Sequence, residues 1–85
     1  MKPKALLARL LAGAVNNVAF ADAQSLLKAL GFKELRLTGS HHIYGVAELP
    51  EQLNLQERGG QAKPYQLRQL LAMVRRYDLT IEEDD

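Results

Sequence analysis

An α+β fold is predicted by three observations. Leucines recur at helical spacing near both ends of the chain. Between Lys33 and Gln56 the apolar period shortens to two, the alternation of half-buried strands. Gly39-Ser40 then sits between two such strands as a two-residue hairpin turn. The element order is helix, helix, three strands, helix. An antiparallel three-stranded meander, backed on one face by helices and open on the other, is the economical way to bury these stripes.

The first helix is expected over about residues 3–14. Pro3 suits its first turn, and Leu6, Leu7, Leu10, Leu11 and Ala14 form one stripe. Gly13 and the Asn16-Asn17 pair end it. A second helix is expected from about Asp22 to Leu30. Ala23, Leu26, Leu27 and Leu30 face one way, and Gly31 provides a C-terminal cap. Its start is poorly marked, because Ala21 stands where a polar cap belongs. Lys33–Thr38 is the first strand and His41–Val46 the second. After a loop holding Pro50, Leu53 and Leu55 alternate with Asn54 and Gln56 in a third. Arg58-Gly59-Gly60-Gln61-Ala62 reads as a flexible loop. Pro64 opens the last helix, with Leu67, Leu70, Leu71 and Val74 as its stripe, Arg68, Arg75 and Arg76 on its sides, and a frayed tail after Tyr77.

Eighty-five residues, 47% of them hydrophobic, suffice for one small domain with a modest core. With no cysteine, the chain has no disulfide, thiolate zinc site or cysteine nucleophile. No apolar run reaches the length of a membrane span, and Arg9 breaks the only leader-like stretch, so a cytoplasmic protein is expected. The net charge of +1 conceals an asymmetry: Glu82-Glu83-Asp84-Asp85 holds four of the ten acids, leaving 11 bases against six acids in residues 1–81. A basic body with an acidic tail suggests a polyanionic partner.

Both histidines lie in Thr38-Gly39-Ser40-His41-His42-Ile43-Tyr44. With a two-residue turn, Thr38 opposes His41, Leu37 opposes His42, Arg36 opposes Ile43, and Leu35 opposes Tyr44. Paired residues share a sheet face. His42, Tyr44, Leu35 and Leu37 are thus expected beneath the helices, and His41, Arg36 and Thr38 on the open face with Asn54 and Gln56. A slip of one residue would exchange the histidines. Adjacent strand residues point apart, so the pair is not expected to share a metal ion. A neutral imidazole at a hairpin tip can take the proton of a ribose 2′-hydroxyl, and a nearby arginine can hold the phosphate. Such cleavage of a phosphodiester requires no metal. Scattered tyrosines give no stacking platform for single strands.

Leu26-Leu27-Lys28-Ala29-Leu30-Gly31-Phe32, the Thr38–Tyr44 run, Asn54-Leu55-Gln56 and Gly60–Arg68 together resemble the HicA family over about residues 18–78. The resemblance implies a fold like that of double-stranded RNA-binding domains, with an α-β-β-β-α core and here an extra N-terminal helix. It implies a toxin of a type II toxin–antitoxin pair: a metal-independent endoribonuclease acting on messenger RNA and blocked by a HicB-like antitoxin. The catalytic role falls on His41, directly after Gly-Ser. The chain departs from the pattern in two places: Thr38 stands where many members have Lys or Arg, and Leu53-Asn54-Leu55-Gln56 stands where many short members have a Val-Pro-x-His-like strand.

The expectation is therefore one domain, residues 1–85, with His41 as general base or acid. Arg36, Lys63 and Arg68 are candidates for phosphate contacts, the last two flanking the start of a helix whose N-terminus favours anions. Ser40 and Thr38 are candidates for orienting substrate. No cofactor, metal, membrane or DNA partner is expected. The rival readings are a non-enzymatic RNA-binding module and a catalytically silent domain that binds a protein partner.

Overall fold

The structure, a computed structural model, describes residues 1–81; the acidic run 82–85 lies outside them. It has three helices, α1 (Pro3–Leu11), α2 (Phe20–Ala29) and α3 (Pro64–Tyr77). Four strands, β1 (Lys33–Thr38), β2 (His41–Gly45), β3 (Gln52–Arg58) and β4 (Gln61–Ala62), form one antiparallel sheet in the order β1-β2-β3-β4. The expected meander thus gains a fourth strand. Gly59-Gly60, expected within a flexible loop, is instead the two-residue turn between Arg58 and Gln61, which pair. Both glycines have positive φ, as such a turn requires.

The same short strand explains where α2 begins. Helix α2 starts at Phe20, two positions before Asp22, and its N-cap is Ala19, which has no side chain to cap an amide. The Phe20 N–H donates instead to the Gly60 carbonyl at 2.9 Å, and the Ala62 N–H to the Val18 carbonyl at 2.9 Å. Backbone pairing with the β4 turn satisfies one of the first-turn amides that have no partner within the helix. The other end follows the sequence: Gly31, at φ +95°, closes a Schellman motif. Its N–H reaches the Lys28 carbonyl at 3.0 Å and that of Phe32 reaches Leu27 at 2.9 Å.

The core lies between the sheet and the helices. Leu26, Leu27, Leu30, Phe32, Tyr44, Leu53, Leu55, Leu67, Leu70 and Val74 are buried as the stripes require. Helix α1 stops at Leu11, short of Ala14, but Leu6 and Leu10 are fully buried, so it is part of the core. The segment after Tyr77 is not frayed as far as Ile81: Asp78 takes a left-handed conformation, the Leu79 N–H returns to the Val74 carbonyl at 3.0 Å, and Leu79 and Ile81 pack on the core. Among the described residues no helix is long and apolar enough to cross a membrane.

One part of the register differs from expectation. Thr38↔His41, Leu37↔His42 and Arg36↔Ile43 pair as predicted, but Tyr44 pairs with Glu34 rather than Leu35. A bulge at Leu35 absorbs the extra residue. Such a bulge re-aims the side chain it carries. Leu35 therefore lies over Gly45 on the open face, 52% exposed, instead of beneath the helices. Leu37 keeps the predicted face, yet it is 56% exposed because β1 is the edge strand.

Candidate functional site

The hairpin tip is built by Gly39, at φ +62°, in the first turn position, where a two-residue turn of type II′ needs a glycine. It delivers Thr38, Ser40 and His41 to the same end of the sheet. His41 is exposed, and β3 presents Gln56 opposite it and Asn54 one pair further along the same face. The His41 Nδ1 lies 3.0 Å from Asn54 Nδ2 and 3.3 Å from Asn54 Oδ1. Gln56 Nε2 donates to Ser40 Oγ at 3.2 Å, tying the turn to β3. Arg36, paired with Ile43, reaches Gln52 Oε1 at 3.5 Å.

His42 has a different environment. Its side chain is 18% exposed, its ring centroid lies 4.9 Å from that of Phe20, and its Nδ1 is 2.7 Å from Glu34 Oε1. The bulge brings Glu34 to this face. Beside it, Gln24 Nε2 donates to the buried Tyr44 hydroxyl at 3.0 Å. Burial pushes the Tyr44 phenol up, Glu34 adding to the shift against the Gln24 hydrogen bond, so it stays neutral. The two adjacent histidines thus serve different faces. Among the described residues no three His, Asp or Glu side chains gather in a way that could hold a metal ion.

Of the expected site residues, Arg36, Thr38, Ser40 and His41 share the open face around the hairpin. Lys63 and Arg68 do not join them by any hydrogen bond or ion pair. Lys63 is the N-cap of α3 and lines a cleft of about 440 Å³ with Arg58, Gln61, Pro64 and Tyr65. Arg68 is exposed on α3. The link between α3 and the sheet face is Gln66, only 1% exposed, whose Oε1 accepts the Gln56 N–H at 2.7 Å. Its Nε2 lies 3.3 Å from the Tyr65 hydroxyl. β4 pairs no further along β3 than Glu57, so a side chain completes the ladder at Gln56. The signal available in the sequence was a glutamine adjoining the apolar stripe of α3.

A second polar group ties the far end of β3 to α3. Glu51 Oε1 accepts from the Tyr77 hydroxyl at 2.6 Å and from Arg76 Nη1. Those two hydrogen bonds, the Tyr77 one foremost, hold the Glu51 carboxyl below its ordinary range, and the same carboxylate raises the Tyr77 phenol.

The His41–Asn54 contact admits two arrangements. When Asn54 Oδ1 accepts from Nδ1–H, Nε2 carries a lone pair and can act as a base. When Asn54 Nδ2 donates to Nδ1, Nε2–H is a donor. One amide thus supports either proton role of the same ring. Comparison with known protein families, curated proteins and solved structures finds no match.

Proposed function

We propose that this chain is an endoribonuclease of the HicA type, the toxin of a toxin–antitoxin pair, cutting messenger RNA in the cytoplasm. The observation that carries the reading is His41: an exposed imidazole at a hairpin tip, its Nδ1 held by Asn54 and its Nε2 without a partner among the described residues. In the proposed step Nε2 takes the proton of a ribose 2′-hydroxyl and the 2′-oxygen bonds to phosphorus. The bond from phosphorus to the 5′-oxygen breaks, and that oxygen takes up a proton from solvent. The products are a 2′,3′-cyclic phosphate and a 5′-hydroxyl. Arg36 on the same face offsets the charge that develops on the phosphate oxygens. Lys63 and Arg68 act further along the strand, at the start of α3.

The open sheet face is also where a HicB-like antitoxin would block access to His41, and the helix-backed sheet suits the double-stranded RNA-binding type of fold. Inducing the chain without an antitoxin should arrest growth, and His41→Ala should abolish the arrest while expression stays unchanged. An equally toxic His41→Ala variant rejects the assignment. The cleft with Arg58, Lys63 and Tyr65 favours one other reading, an RNA-binding module without cleavage. Tight binding of duplex RNA that is never cut would select it.

A further inference from the structure

We propose that the hollow beside Leu35 and Gly45 is a base-binding subsite that receives an unstacked nucleobase of the RNA strand held at His41. This rests on the ribonuclease reading and adds to it a determinant of substrate choice. The hollow, about 300 Å³, lies at the far end of the sheet from the hairpin tip and is walled by Leu35, Gly45, Val46 and Leu49. Its opening exists for two local reasons. The bulge turns Leu35 onto the open face. Gly45 lets Leu35 settle onto the sheet as the wall of the hollow: a Cβ there would fall 2.8 Å from Leu35 Cδ1.

A protein apolar side chain would also fit such a hollow, but three features favour a base. It lies on the sheet face that carries His41, about 13 Å along β2 at the usual rise per residue, within reach of a flanking nucleotide. Arg36 stands between the two points on that face, and Lys33, exposed and without an ion pair among the described residues, lies at the rim. These two cations complement a phosphate backbone rather than an apolar peptide, and the carboxylate in the lining, Glu51, is already bonded to Tyr77 and Arg76. Gln52 at the rim offers an amide to a base edge, and apolar walls with a few polar groups are the usual make-up of small-ligand sites. Duplex RNA cannot place a base there, so the substrate at this point is single-stranded.

The test uses the full chain carrying His41→Ala, so that binding is read without cleavage. The ligands are a single-stranded RNA spanning a mapped cleavage position and copies with one abasic site each. NMR follows the Leu35 and Val46 methyls together with the Arg36 and Asn54 amides, and titration gives the affinity. The expected result is that intact RNA shifts both sets of signals. One abasic position should leave the methyls unmoved and weaken binding about tenfold. Adding Gly45→Val should weaken the intact RNA to that same level with no further effect on the abasic copy. Shifts at Arg36 and Asn54 with unmoved methyls, or equal affinity for every abasic copy, overturn the subsite while leaving the ribonuclease reading in place. If RNA moves neither set, both readings fall. Methyl shifts produced only by a protein partner reassign the hollow to that partner.

Discussion

Asn54 holds the His41 ring in place in either tautomer, because its amide is the ring's hydrogen-bond partner on the open face. Truncating it frees the ring to rotate. Asn54→Ala should lower the cleavage rate about tenfold, within the range positioned proton transfer supplies. Asn54→Asp places a carboxylate beside the ring and favours the imidazolium, so the rising limb of the pH–rate profile should move to higher pH. A single-turnover assay across pH separates this positioning role from a merely structural one, which would change stability but leave the profile in place. His42 lacks these properties despite its adjacency, since Phe20 and Glu34 occupy it on the other face.

Helix α1 and the α3–β3 tie set the stability of the elements that hold the site. Leu10 is fully buried, so Leu10→Ala should cost about 2–5 kcal/mol in urea unfolding, whereas a detachable helix would leave the midpoint unchanged. Glu51 bonds Tyr77 and Arg76, and its carboxyl titrates below the ordinary range. A depressed carboxylate contributes stability that is complete above its unfolded pKa and disappears as pH falls through its folded one. Wild type should therefore exceed Glu51→Gln in thermal stability near neutrality by a small margin that closes in acid; a gap that persists in acid contradicts the tie. Elements whose signals are local were legible in the sequence: the stripes of α2 and α3, the turn at Gly39-Ser40, the Gly31 cap, and the inward Leu53 and Leu55. What escaped depends on distant partners. The start of α2 relies on the Gly60 carbonyl. β4 exists because a Gly-Gly turn folds Gln61 back on Arg58. The bulge that turns Leu35 outward has no marker in Glu34-Leu35-Arg36-Leu37.

At the scale of the molecule, one layer of helices covers one sheet face and leaves the other to solvent, so polar side chains from three strands meet around His41. Alternation in β3 made Asn54 and Gln56 visible beforehand, but not their hydrogen bonds, and Gln66 was hidden because its partner is a backbone amide on another element. Lys63 and Arg68 were legible as cations at the start of α3, but the cleft that Lys63 lines with Arg58 and Tyr65 emerges only from the packed fold. The central claim is proton transfer by His41. Its most direct measurement incubates purified chain with single-stranded RNA in EDTA and identifies the new ends. The account predicts 2′,3′-cyclic phosphate and 5′-hydroxyl ends from the parent chain, and uncut RNA with a correctly folded His41→Ala variant. Cleavage that the variant retains, or that EDTA abolishes, contradicts it.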